Sequence, residues 1–300
     1  MTTSIHPDLP ARVRRRERML LLAAVLMGLL ALAGPAVLQP AHFHDFADQR
    51  GWGALPHALD VLSNLPFAVW GAAGLWALAR ALRLGAVERA SAGLAGLFFA
   101  GLLVTAGVSA FYHWQPDDAA LVWDRTGMVL AFAGLLGLAA LQAAGRRAGM
   151  ALAAAVLALG PVAVWVWAAS GNLLPWGVLQ IGGMALILGL AALPPAWPAP
   201  GLNIRWALVI GVYALAKALE LADHAVFELS GQLVSGHSLK HVVASFAAWP
   251  VLWAVLQAAR MPRARGTIGA ASASPFSASA TASASRPAPS RSPNQPRSHA

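Results

Sequence analysis

The chain has 300 residues, is 58% hydrophobic, has a mean hydropathy of +0.61 and carries only 11% charged residues, against about 25% in a soluble domain. Its net charge of +9 is spread along the flanks of apolar runs rather than gathered on one soluble face, which argues against a nucleic-acid partner and for a membrane-embedded chain. With no cysteine, disulfides are excluded and any metal must be held by nitrogen or oxygen.

The first apolar run, Met19–Leu38, follows five arginines between Arg12 and Arg18. It has the length of a full span and no small-x-small cleavage site after it, so it reads as a retained helix behind a basic N-terminus at 1–18. Seven further runs follow: Ala58–Leu82, Ala90–Tyr112, Ala120–Ala143, Gly149–Ala168, Pro175–Leu193, Arg205–Ala222 and His237–Ala259. In lipid an open chain satisfies its backbone only as helix, and abundant Ala, Gly and Leu suit close helix packing. The expectation is an all-α integral membrane protein of eight helices. Residues 266–300, rich in Ser, Ala, Pro and Arg, cannot bury a core and read as a disordered tail. No internal repeat is present.

The charges set the topology. Arg80, Arg83, Arg89, Arg146, Arg147, Arg205, Arg260, Arg263 and Arg265 fall on the same side as the N-terminal arginines when both termini are cytoplasmic; Arg50, Arg125 and Lys240 fall opposite. The same arrangement puts seven of the nine histidines on the outer side (His42, His44, His57, His113, His224, His237 and His241), with nine of the twelve acids. Acidic outer loops account for the loop residues, but poorly for those that project into helices.

Ser109 and His113 are four apart, as are His237 and His241, so each pair shares a helix face. Ser235-Gly236 reads as a helix start. Asp124 follows the turn at Pro116-Asp117-Asp118. Three histidines, a serine and an aspartate can therefore meet at one depth. Three imidazoles with an open fourth position make a catalytic zinc site, zinc lowers the pKa of bound water to about 7, a carboxylate beside it moves protons, and a hydroxyl donates to a developing oxyanion. Such a set suits hydrolysis of an amide or ester. Taken singly, Ser109 reads as a packing residue and Asp124 as a partner of Arg125 or Arg50. Yet an ionised aspartate within a span costs about 2.5–3.5 kcal/mol, which favours a functional role. Lys217 and Glu220, three apart, read as a neutralising pair. His57, Asp60 and Asn64 share a face that caps helices or binds a second ion.

The spacing of Ser109, His113, Asp124, His237 and His241, with the segment DVLSNLPF that contains Ser63 and Asn64, resembles the alkaline ceramidases within the CREST group of membrane hydrolases. The resemblance covers residues 42–258 as a seven-helix catalytic domain, with 19–38 as an added helix. It implies zinc on His113, His237 and His241, proton transfer by Asp124, oxyanion support from Ser109, and hydrolysis of ceramide or a similar lipid amide that enters from the bilayer. Eukaryotic members carry a calcium site with a glutamate where His57 stands here; Asp45, Asp48 and Asp60 are the candidates to replace part of it. The Ala- and Arg-rich composition suggests a bacterial inner membrane with the site near the periplasmic face. Two other classes fit paired membrane histidines: a bis-histidine haem electron carrier, and a non-catalytic zinc receptor or ion carrier.

Overall fold

A computed structural model describes residues 9–194 and 202–260; the tail expected at 266–300 lies outside them. The described residues form helices, most of them joined by short connections but the first two by a long one at 34–57, with only isolated bridges at Leu38–Asn172 and Trp52–Leu55. Large apolar side chains are exposed around the bundle, among them Leu21 at 66%, Trp165 at 67% and Ile181 at 66%. Apolar surface on this scale belongs against lipid.

Six helical stretches are long and apolar enough to cross a membrane: Ala58–Arg83, Arg89–Trp114, Asp118–Ala144, Arg146–Ser170, Leu174–Ala191 and Gly236–Arg260. The expected first and seventh segments are helical but fall short of that measure. Helix α1 spans Leu9–Ala33, not Met19–Leu38: it runs back through the arginines and stops before Gly34-Pro35. Its apolar part, from Met19, is about 22 Å long at about 1.5 Å per residue, against a hydrocarbon core of about 30 Å. The seventh segment is helix α9, Trp206–Leu221, of 16 residues.

Several expected single helices are broken, each for a local chemical reason. Ala58–Leu82 divides into α2, Ala58–Leu62, and α3, Leu65–Arg83. The Ser63 hydroxyl and the Asn64 amide both donate to the Asp60 carbonyl, and Pro66 has no N–H to continue the ladder. Helices α4, Arg89–Trp114, α5, Asp118–Ala144, and α6, Arg146–Ser170, are continuous. The sixth segment is α7, Leu174–Gly177, a π turn at Val178–Gly182, and α8, Gly183–Ala191. A short α10, Asp223–Leu229, follows α9. The last segment is α11, Gly236–Ser245, a 3₁₀ turn at Phe246–Ala248, and α12, Trp249–Arg260; the break precedes Pro250, which again lacks a donor.

In the bundle α4 lies between α3 and α5, α6 covers α5, α8 bridges α5 and α9, α11 packs on α9, and α12 returns to α3. The tightest crossing is α4 on α5. A Cβ at Gly134 would stand 2.5 Å from the Phe98 backbone nitrogen, and one at Gly101 would collide with the Ala131 backbone. These two close approaches fix the relative depth of the helices that carry Ser109, His113 and Asp124. Helix directions place the arginines at the α3–α4, α5–α6 and α12 ends away from His113 and His237.

Gly134→Ala is expected to lower stability by about 1–3 kcal/mol through overpacking. Gly107→Ala, where a Cβ meets nothing within 4 Å, is expected to be neutral or stabilising, because alanine is the better helix former. Thermal unfolding of the two variants in detergent compares them directly.

Candidate metal centre

The last turns of α4 present Ser109 and His113 to the interior, with His113 only 1% exposed. Helix α11 supplies His237 and His241, both buried. The first turn of α11 is held as its sequence indicates: the Ser235 hydroxyl accepts the backbone N–H of Ser238 at 2.9 Å. Two carboxylates then pin that end, where the helix dipole favours negative charge. Asp60 accepts from the Ser238 hydroxyl at 2.6 Å. Asp223 accepts the backbone N–H of His237 at 2.7 Å through one oxygen and that of Ala47 at 2.9 Å through the other. The second contact ties the loop bearing Phe46 to α11.

The three imidazoles converge. One ring nitrogen from each of His113, His237 and His241 lies within 4.8 Å of the others, and the ring centroids are 4.7–4.9 Å apart. The Nε2 atoms of His113 and His237 are 3.3 Å apart. Two nitrogens each about 2.0–2.1 Å from one tetrahedral ion stand roughly 3.3–3.4 Å apart, so this pair fits a shared ion. His241 is oriented to match. Its Nδ1 lies 2.8 Å from the Ser63 hydroxyl, and that hydroxyl donates to the Asp60 carbonyl, so it accepts the Nδ1 proton and leaves Nε2 its lone pair. A partner of this kind fixes both tautomer and ring direction. Phe46 packs on His113 and His237 with centroids 4.8 and 4.4 Å away. The triad can therefore hold a metal ion, although the Lys240 ammonium already donates to His237 Nε2 at 3.0 Å, and a metal must displace that contact.

Ser109, Asp124, His237 and His241 line one cavity of about 180 Å³, with Lys217, Glu220 and Lys240 on its wall. Ser109 and Asp124 come from the facing helices α4 and α5 to line the same cavity, and Asp124 Oδ1 is buried without a hydrogen-bond partner. Neither arginine considered for Asp124 pairs with it: Arg50 binds Asp48, and Arg125 donates to Gln39. Lys217 pairs with Glu220 as expected, and Lys240 joins them at 3.2 Å. Gln180, on the π turn, also reaches the cavity.

The structure does not bring Asp45, Asp48 and Asp60 together, and among the described residues only the histidine group has metal-binding geometry. Asp45 is exposed on His42. Asp60 serves α11. Asp48 is neutralised by Arg50, whose Nε and Nη2 donate to its two oxygens at 2.7 Å, while Nη2 also reaches the Leu233 carbonyl. The arginine supplies positive charge where a second cation was expected. Arg50 holds the Asp48 carboxyl below its ordinary value of 3.8; because that value is depressed, the clamp is intact at neutral pH and weakens only as pH falls through the lowered midpoint. His57 stands at the α2 start in the left-handed region, φ 44°. Sequence reasoning missed Lys240 as a contact of His237, and Phe46 as the cover of the triad. Lys240 had a signal, one turn from His237 on the same helix; Phe46 had none.

No protein-family model matches the chain, and neither a curated protein nor a solved structure gives a match.

Purified protein is expected to hold about one equivalent of a divalent transition metal, measured by elemental analysis, and His237→Ala to hold none. Ser63→Ala is expected to keep the site but to weaken it by roughly 10–100-fold in a chelator competition, since it removes only the orienting partner.

Proposed function

We propose that this chain is a zinc-dependent intramembrane hydrolase of the alkaline ceramidase kind, cleaving the amide bond of ceramide or a similar long-chain lipid amide to a fatty acid and an amine. One observation carries the reading: the three imidazoles suited to a metal stand beside a cavity that Ser109 and Asp124 also line. That juxtaposition joins the residues that the family resemblance singled out. The fine topology belongs to the same proposal: α1 and α9 complete eight spans, both ends face the cytoplasm with the arginine-rich connections, and the cavity opens toward the periplasmic side of a bacterial inner membrane.

The residues divide the work. The substrate's tails enter laterally between helices, and its amide carbonyl lies in the cavity. His113, His237 and His241 would hold zinc, which when bound supplies a Lewis acid and lowers the pKa of water. Asp124, which lines the cavity with Ser109 and has one buried oxygen, takes a proton from the attacking water and passes it to the leaving nitrogen. Ser109 donates its hydroxyl hydrogen to the carbonyl oxygen as that oxygen gains charge. A C–O bond forms, the C–N bond breaks, and the two protons of water end on the amine and the new carboxylic acid. The apolar bundle keeps bulk water from the site, which strengthens each of these interactions.

A bis-histidine haem fits the geometry poorly. Axial ligands approach from opposite faces of a macrocycle, whereas these imidazoles meet nitrogen to nitrogen at 3.3 Å, with a third ring beside them. A non-catalytic metal receptor is the other outcome, and turnover separates it.

With a long-chain ceramide as substrate, Asp124→Ala is expected to lose about 10²–10⁴-fold in turnover while keeping its metal. Ser109→Ala is expected to lose about 10²–10³-fold. Bound zinc with no hydrolysis across a panel of lipid amides, or equal turnover by wild type and Asp124→Ala, would reject the assignment.

A further inference from the structure

Arg125 is the one charge at the cavity that neither the hydrolytic reading nor an ion pair accounts for. It lies in the second turn of α5, next to Asp124, and is 3% exposed. A buried guanidinium normally has a carboxylate against it, because an unpaired ion in a low-dielectric bundle is strongly unfavourable. Among the described residues no carboxylate lies within 4.0 Å of it. Its Nη2 donates to Gln39 Oε1 at 2.7 Å. Its central carbon lies 3.9 Å from the centroid of the Trp167 ring, with Phe43 at 5.3 Å. These aromatic faces hold the plane of the group but leave its in-plane donors free. Nη1 is buried and has no acceptor at all.

Arg125 lines the same cavity as Asp124, His237 and His241. The other cations there are already engaged: Lys217 and Lys240 share Glu220. The wall thus sets three cations against two carboxylates before any metal is counted, and of the three Arg125 alone lacks a carboxylate at ion-pair distance and carries a buried nitrogen without an acceptor. On the other side, Gln39 and Trp167, which position Arg125, also line an open groove of about 600 Å³.

We propose that Arg125 receives an anionic head group carried by the lipid amide, so that the substrate class is an acidic long-chain amide bearing a carboxylate, sulfonate or phosphate, rather than a neutral ceramide. The proposal rests on the hydrolase reading and narrows its substrate. The planar guanidinium meets such oxygens through charge-assisted hydrogen bonds, and its aromatic clamp keeps it fixed before the ligand arrives, so little ordering is needed on binding. A neutral head group would leave both the guanidinium charge and the Nη1 donor unanswered, which is the kind of mismatch that discriminates strongly between otherwise similar substrates.

The test compares kcat/KM of zinc-loaded, full-length protein on N-palmitoylglycine and N-palmitoyltaurine with that on neutral N-palmitoylethanolamine. Wild type is expected to favour the acidic amides at least about tenfold, Arg125→Gln to bring the ratio close to one, and Arg125→Lys to keep part of it. Zinc content and a monodisperse elution profile establish that each variant is folded. A wild-type ratio near one, or a ratio unchanged in Arg125→Gln, overturns the proposal. A second arm separates its failure from that of the hydrolase reading. Binding of hexadecyl phosphate is compared with that of hexadecanol in the His237→Ala background, where no intact triad can attract the anion. Selective binding that disappears when Arg125→Gln is added upholds the anion site even if no amide is hydrolysed, whereas equal binding of the two lipids overturns it. A phospholipid that co-purifies at one equivalent with wild type, and not with Arg125→Gln, overturns the assignment to substrate by showing a resident lipid there.

Discussion

A polar side chain drawn into this apolar bundle is costly unless another polar group or a ligand answers it, because lipid offers it nothing. The convergence of His113, His237 and His241 is where that constraint is most concentrated. Three imidazoles from two helices far apart in sequence share one small volume, with nitrogens of His113 and His237 3.3 Å apart. Much of the surrounding polar structure holds them there. Ser63 fixes one ring of the triad, Asp223 and Asp60 anchor the start of α11, and Phe46 covers two rings.

These supports differ in kind. The hydrogen bonds to α11 act on its first turn, where unpaired backbone N–H groups and the dipole both favour carboxylates. On the other wall, depth is set by sterics. Gly101 and Gly134 let α4 and α5 touch backbone to backbone, so that His113 and Asp124 cannot slide independently along the membrane normal. Interfaces of small residues serve this purpose where no hydrophobic force drives helices together. The breaks at Ser63–Asn64 and before Pro250 belong to the same economy of backbone donors: each occurs where a proline cannot donate, and at the first of them side chains also take the carbonyl.

Charge is distributed with equal definition. Acids near the triad have structural partners: Asp48 has Arg50, Glu220 has two lysines, and Asp60 and Asp223 have α11. Asp124 and Arg125 are the exceptions. Adjacent in sequence, they fail to form the ion pair their proximity suggests, since neighbours on a helix diverge by about 100° around its axis. A buried carboxylate oxygen and a buried guanidinium nitrogen, each without an acceptor or donor, both border one cavity. Unanswered polar groups of this kind mark places where a ligand completes the arrangement.

The sequence by itself determined the class of the molecule, the periodicity of its helices and the two histidine pairs, because length, apolar content and four-residue spacing are local properties read without knowing what packs against what. It also determined that Ser109, His113, Asp124, His237 and His241 stand near a common level, since helix length and direction set depth. The tertiary structure alone decided that the three imidazoles face one another, that Asp48 is answered by Arg50 rather than joined to Asp45 and Asp60, that Lys240 touches His237, and that Arg125 is left without a carboxylate. It also decided that the apolar run from Met19 belongs to a longer helix reaching back through the arginines. Each of these turns on azimuth around a helix axis or on a contact between distant segments. One-dimensional spacing constrains rotation about an axis only modulo the packing of neighbours, and that packing is set by side chains more than a hundred residues away.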